Sequence, residues 1–106
     1  MKKVLVLGCT GSIGSSTLDI INNMSSDFCV CGLQAHSNAE KLGELGSTYK
    51  CPTLLTKTDN SEEAFQKLID QSKPDIVVNG IAGAAGLLPS KVILENGIDL
   101  ALANKE

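Results

Sequence analysis

The chain of 106 residues has no arginine, no tryptophan and one histidine, and aromatic residues make up only 3% of it. Each shortage narrows what the protein can be. Without arginine there is no planar guanidinium fork to clamp a phosphate through two parallel hydrogen bonds. The nine basic residues are all lysine, and twelve acidic ones outnumber them to give a net charge of −3. That balance speaks against a nucleic-acid partner and against an anionic membrane surface. Long apolar runs are missing as well. Val4-Leu5-Val6-Leu7 breaks at Gly8-Cys9, so the small residue before a cysteine imitates a lipoprotein signal without its apolar segment, which needs about 7 to 15 residues. No stretch approaches the roughly 20 apolar residues that span a bilayer. The expectation is a cytoplasmic protein with no membrane association. Cys9, Cys29, Cys31 and Cys51 form no C-x-x-C pair, and one histidine cannot complete a zinc site with them. They read as reduced thiols, with Cys29 and Cys31 on one face of a strand as small buried hydrophobes.

What is present suits a single globular domain: 42% apolar and 20% charged residues, enough to bury one core. A β-branched run at Lys3 to Leu7 predicts a strand. Ser15 to Met24, with Leu18, Ile20 and Ile21 assigned to one face, predicts a helix. Phe28 to Ala35 reads as a second strand, followed by a helix capped by Asn38 and carrying Ala39, Leu42 and Leu45 until Gly46 ends the period. Thr53 to Thr56 is a weak third strand. Asn60-Ser61-Glu62-Glu63 then has the look of a capping box leading into Ala64, Phe65, Leu68 and Ile69. Ile76-Val77-Val78 is apolar on both faces, as in a strand covered from both sides. A helix from Leu87 to Glu95 tolerates Pro89 in its first turn and stops at Asn96-Gly97, before a fifth strand from Ile98 to Ala103. Alternation of this kind implies right-handed crossovers and an α/β fold: a doubly wound parallel sheet (Rossmann-like) of about five strands, order roughly 3-2-1-4-5, with helices on both faces.

Two strands end in the same pattern. Gly8, Gly11 and Gly14 follow the first, and Gly80, Gly83 and Gly86 follow the fourth, both in G-x-x-G-x-x-G spacing. Neighbouring first and fourth strands would bring the two turns face to face across one crevice. A pyrophosphate needs backbone N–H groups at close approach and the positive end of a helix, which Gly8-Cys9-Thr10-Gly11-Ser12-Ile13-Gly14 offers, with hydroxyl donors at Thr10 and Ser12. The alternative is a tight βα turn and nothing more. Gly80 to Gly86 serves either close helix packing or a flat ring lying on bare backbone. About 20 residues after the first loop, where a carboxylate would accept from the ribose 2′-hydroxyl of NAD, stand Gln34-Ala35-His36-Ser37-Asn38. With no acid to repel a 2′-phosphate, and with His36, Ser37 and Asn38 able to donate to it, NADP is favoured. The alternatives are an ordinary exposed loop histidine at His36 and a plain helix cap at Ser37-Asn38. No catalytic constellation and no metal-ligand cluster stands in the sequence, so the spacing describes a dinucleotide-binding domain without its chemistry.

Gly8 to Gly14, Ala35-His36-Ser37-Asn38, Gly83-Ala84-Ala85-Gly86-Leu87-Leu88-Pro89 and Leu102-Ala103-Asn104-Lys105-Glu106 together resemble 1-deoxy-D-xylulose 5-phosphate reductoisomerase, in order and over the whole chain. The resemblance implies an NADPH-dependent enzyme that isomerises and reduces 1-deoxy-D-xylulose 5-phosphate to 2-C-methyl-D-erythritol 4-phosphate in non-mevalonate isoprenoid synthesis. It implies that Thr10, Gly11, Ser12 and Ile13 hold the pyrophosphate, that His36, Ser37 and Asn38 lie near the adenosine ribose and 2′-phosphate, and that Ile81, Ala82 and Gly83 border the nicotinamide. Asn104 and Glu106 would also contact the cofactor, and Lys105 the substrate, a phosphorylated sugar. Residues 1–106 would then be the NADPH-binding part of a longer homodimeric enzyme whose divalent metal (Mg or Mn), lid and C-terminal domain lie beyond them. The chain departs from the family pattern at Cys9, where many members have serine, at Ser37, where several have lysine, and between Gly46 and Asn60, which looks short. Other readings are an NADP-linked semialdehyde or homoserine dehydrogenase, which would share the first loop, or a nucleotide-sensing module without turnover.

Overall fold

The computed structural model describes residues 1–102. Five parallel strands, β1 (Lys2–Leu7), β2 (Phe28–Ala35), β3 (Thr53–Leu55), β4 (Ile76–Asn79) and β5 (Asp99–Leu102), form one sheet in the order β3-β2-β1-β4-β5. Helices α1 (Ser12–Asn23), α2 (Ala39–Tyr49), α3 (Glu62–Ser72) and α4 (Leu87–Glu95) make the crossovers, and a 3₁₀ turn (Gly83–Gly86) precedes α4. The doubly wound order and the element sequence are those expected. Register sets where the loops meet: Leu7 pairs with Gln34 on one side and Asn79 on the other, so the loops leaving β1, β2 and β4 emerge at one edge. A shift between Val4 and Leu5, which skips Cys31, keeps Val30 and Leu33 on the same face.

The sheet is covered on both sides. Leu18 and Ile21 of α1 and Leu42 of α2 pack with Val4, Val6, Val30 and Leu33. On the other face Phe65, Leu68 and Ile69 of α3 and Val92 and Ile93 of α4 pack with Leu5, Leu7 and Val77. β4 divides its side chains between the two, Ile76 and Val78 against one layer and Val77 against the other, as a strand apolar on both faces must.

Several local expectations are corrected. α1 begins at Ser12, three residues early, because Gly11 takes the extended N-cap conformation and the rest of the glycine loop enters the helix. Ile20 is 58% exposed: it sits two positions from Leu18, about 200° around the helix, and leaves the buried face. Gly46 does not stop α2. The helix continues to Tyr49 and ends on Lys50 in the left-handed region, while the missing side chain at Gly46 makes room for Thr53, whose Cγ2 would lie 2.8 Å from a Cβ there. The box before α3 is made only by half. Ser61 accepts from the Ala64 N–H at 3.1 Å, but the residue at the reciprocal position is Ala64, and the Ser61 N–H donates instead to Asp59 Oδ1 at 3.1 Å. No helix among the described residues is long and apolar enough to cross a membrane.

Candidate functional site

The edge where β1, β2 and β4 end carries a cleft of roughly 500 Å³. Its floor is the abutment of the two glycine turns. Gly8 has φ +71°, a conformation that side chains resist, and a Cβ on it would come within 3.0 Å of the Gly80 carbonyl group. The Gly80 N–H in turn donates to the Leu7 carbonyl at 3.0 Å. At Gly14 a Cβ would lie 2.2 Å from the Gly8 oxygen and 2.6 Å from the Cys9 Cα, so α1 packs onto the end of β1 only because that atom is missing. Gly11 differs. Its φ is −82°, and the nearest atom to a Cβ there is the Gly8 oxygen at an ordinary 3.5 Å. The chain itself makes no demand for glycine at position 11, and this residue lines the cleft.

The helix that starts there is open to an anion. Asn38 caps α2 through its Oδ1 and Ser61 caps α3, whereas α1 has no side-chain cap and no acidic residue in its first turn. Its first helical bond runs from the Ser15 N–H to the Gly11 carbonyl at 2.9 Å, so the N–H groups of Ser12, Ile13 and Gly14 have no partner within the helix. Backbone donors at the positive end of a dipole suit a phosphate without any basic side chain.

The other wall is built by a buried asparagine. Asn79 Nδ2 donates to the Gly86 carbonyl at 3.0 Å and to Ser90 Oγ at 2.8 Å, while its Oδ1 accepts from the Ile81 N–H at 3.0 Å. One side chain therefore holds the turn that presents Ile81 and Ala82 to the cleft. At the third side, the Gly8 N–H donates to Gln34 Oε1 at 2.7 Å, Gln34 Nε2 donates to Thr56 Oγ1 at 3.0 Å, and Thr56 Oγ1 lies 3.0 Å from His36 Nδ1.

Of the residues expected at the site, Thr10, Gly11, His36, Ile81 and Ala82 line one cleft, with Ser12 and Ile13 in the first turn of α1 beside it. Gly83 opens the 3₁₀ turn at φ +71° with free space around it. Ser37 and Asn38 are exposed, and the Asn38 Oδ1 is occupied by the Lys41 N–H at 3.1 Å, so the helix-cap reading holds for that oxygen while Nδ2 stays available as a donor. Asn104, Lys105 and Glu106 lie outside the described residues. Gln34, Thr56 and Asn79 were not anticipated. The signal for them is a polar side chain where an apolar strand ends, at positions buried to 2%, 8% and 1% exposure. Among the described residues no group of three or more His, Cys, Asp or Glu side chains could hold a metal ion.

The thiols take no part in the cleft. Burial pushes Cys9, Cys31 and Cys51 up to about 11 from the ordinary 9.0, so they are inert as nucleophiles near neutrality. Unfolded, they ionise from about pH 9 while the folded forms stay neutral, so the unfolded chain binds fewer protons and stability falls with rising pH. Melting temperature should decline between pH 9 and 11, and replacing all three by alanine or valine should flatten that decline relative to the parent.

With this geometry stands a close set of relatives. The family profile described as 1-deoxy-D-xylulose 5-phosphate reductoisomerase matches residues 4–64 and 52–106, which together take in almost the whole chain. The chain belongs to the 1-deoxy-D-xylulose 5-phosphate reductoisomerase family. The reductoisomerase of Treponema denticola is 44% identical over 113 residues, covering 99% of this chain and 30% of its own length. That of Tropheryma whipplei is 41% identical over 106 residues, covering 100% and 28%. The chain thus spans under a third of the curated reductoisomerases it matches. A crystal structure of DOX-P reductoisomerase in complex with NADPH, fosmidomycin and magnesium superposes with a TM-score of 0.83 at 26% identity, over 98% of this chain and 30% of that one. The reductoisomerase from Zymomonas mobilis in complex with NADPH gives 0.75 at 25% identity, over 97% and 32%. Likeness to a UDP-glucose-4-epimerase, TM-score 0.70 at 14% identity, shows the shared fold alone.

Proposed function

We propose that residues 1–106 are the NADPH-binding domain of an enzyme that converts 1-deoxy-D-xylulose 5-phosphate to 2-C-methyl-D-erythritol 4-phosphate, with NADPH as hydride donor. The observation that carries this is the division of labour in the first loop. Gly8 and Gly14 are glycines for the chain's own sake, while Gly11 lines the cleft at an uncapped helix end with nothing nearer than 3.5 Å to a Cβ placed on it. A loop serving only as a turn would give no reason for the second glycine; a pyrophosphate lying against the backbone gives one.

On this reading Thr10, Gly11, Ser12 and Ile13 hold the pyrophosphate through backbone and hydroxyl donors. His36, Ser37 and Asn38 meet the adenosine ribose and its 2′-phosphate, and Ile81, Ala82 and Gly83 border the nicotinamide. Asn104 and Glu106 complete the cofactor contacts and Lys105 reaches the phosphorylated sugar. NADPH supplies the hydride; this domain binds it, orients the ring against the turn that Asn79 holds, and keeps water off the ring with the apolar wall of Ala84, Ala85 and Leu88. A divalent metal, Mg or Mn, and the groups that hold it belong to the remainder of a longer, cytoplasmic, homodimeric enzyme.

Two results test the assignment. Calorimetric titration should give tighter binding of NADPH than of NADH, since no acidic residue is among the described residues that line the cleft with His36; equal affinities, or tighter NADH, would contradict it. The 106-residue chain with NADPH, magnesium and 1-deoxy-D-xylulose 5-phosphate should show no NADPH oxidation above a blank. Substrate-dependent oxidation by the purified chain would refute the placing of the metal chemistry elsewhere.

A further inference from the structure

The wall of the cleft formed by Gln34, Thr56 and His36 has a direction that its chemistry fixes. A backbone N–H can only donate, so the 2.7 Å bond from Gly8 sets the Gln34 carboxamide with Oε1 toward the loop and Nε2 toward Thr56. The Thr56 hydroxyl, accepting from Nε2 at 3.0 Å, still has one hydrogen to give. His36 Nδ1 stands 3.0 Å away and the Ala35 carbonyl 3.5 Å, at the limit of a hydrogen bond. The shorter contact is the stronger place for that hydrogen, which directs it to His36 Nδ1. In the neutral imidazole the proton is then on Nε2, which makes that nitrogen the donor His36 has left for a ligand. The reverse arrangement, with Nδ1–H donating to Thr56 and the hydroxyl turned to Ala35, would leave His36 protonated at Nδ1 in the tautomer measurement below. Gln34 and Thr56 are buried, at 2% and 8% exposure, so this arrangement is shielded from competing water, while His36 is exposed and lines the cleft.

From this chain of bonds we infer that Gln34 and Thr56 are positioning residues that set the preference of the cleft for a 2′-phosphorylated dinucleotide, by locking His36 as a donor and tying it to the phosphate loop at Gly8. The inference rests on the cofactor reading above and goes beyond it: selectivity in a chain without arginine would come from an imidazole N–H oriented by a relay, and not from a guanidinium. Exposed Ser37 and Asn38 have no such support, and Asn38 already spends its oxygen on α2.

The test is a set of variants titrated with both cofactors. Thr56→Val keeps the shape and removes the hydroxyl; it should lower NADPH affinity on the order of tenfold while NADH affinity stays within about twofold, and Thr56→Ser should restore the ratio. In a His36→Ala background Thr56→Val should change the ratio no further, because the partner it positions is gone. Gln34→Leu should lower the ratio and also weaken both cofactors, since it frees the Gly8 N–H as well. Without any ligand, nitrogen NMR at about pH 8.5, where an ordinary imidazole is neutral, should show His36 protonated at Nε2 in the wild type and a mixture of tautomers in Thr56→Val. A wild type that binds both cofactors equally, or neither, overturns the cofactor assignment and this inference with it. A wild type that prefers NADPH beside a Thr56→Val variant that keeps the preference, or loses both cofactors alike, overturns this inference alone. A wild type protonated at Nδ1, or an unchanged tautomer in that variant, does the same.

Discussion

Gly14→Val should cost this protein most of its stability. The first added carbon would lie 2.2 Å from the Gly8 oxygen and 2.6 Å from the Cys9 Cα, both backbone atoms at the junction of β1 and α1, so no side chain can swing away to relieve the contact. The helix must move off the sheet, which strips Leu18 and Ile21 from the layer they share with Val4 and Val6. Overpacking that flexible neighbours absorb costs about 1 to 3 kcal/mol, and a backbone clash belongs at or above the upper end. For a domain of this size that is a fall in melting temperature of at least roughly 12 °C, or failure to fold. Gly43→Ala is the control: Gly43 is exposed within α2 with nothing within 4 Å, so removing a flexible residue from a helix interior should raise stability by about 0.5 to 1 kcal/mol. Thermal melts of the two variants beside the wild type check this. A Gly14→Val protein melting within a few degrees of the parent would mean that α1 does not pack as described.

The strength of the fold signal in the sequence has a physical reason. Each strand is a short β-branched or apolar run, each helix an amphipathic one, and a parallel sheet needs a crossover between every pair, so once the alternation is seen the topology has few alternatives. The errors come where a single residue has two readings. Gly46 looks like a helix stop, yet what it provides is room for Thr53 from a strand whose position the local sequence does not encode. Ile20 looks like core by hydropathy, but it points away from the face that Leu18 and Ile21 define.

Legibility at the site divides in the same way. The glycine spacing reveals where a phosphate could approach, because that property belongs to consecutive residues. It does not reveal which glycine serves the ligand, because the separation of Gly11 from Gly8 and Gly14 depends on where Gly80 and the Gly8 carbonyl sit in space. Gln34, Thr56 and Asn79 leave only a faint trace in the sequence for a related reason. In sequence Gln34 is one polar residue between Leu33 and Ala35, and its two partners are 26 and 22 positions away. Only the pairing of Leu7 with both Gln34 and Asn79 places these side chains at the sheet edge where the turns need them. No described side chain with a buried polar atom is left without a partner, so these residues form a satisfied frame around a cleft whose open donors are on the backbone of α1.

Gly11→Val should abolish cofactor binding in a protein that still folds. The backbone at position 11 is extended, with φ −82° and ψ 176°, a region that valine prefers, and its Cβ would meet nothing closer than 3.5 Å. The cost to the fold is that of exchanging glycine for a β-branched residue at a helix N-cap, about 1 kcal/mol, or roughly 4 to 8 °C in melting temperature. The cost to the ligand is of another order. The two methyl groups would stand in the approach to the Ser12, Ile13 and Gly14 N–H groups, where a pyrophosphate must come into van der Waals contact with the backbone. Loss of those charge-assisted bonds should weaken NADPH at least about 100-fold, and NADH by a similar factor, because both carry the same pyrophosphate. That parallel loss distinguishes the variant from Thr56→Val, which should spare NADH. Melting temperature and both affinities, measured on the same preparation, decide the matter. If a folded Gly11→Val protein binds NADPH as the parent does, the pyrophosphate does not lie on this loop, and the openness of Gly11 has some other cause.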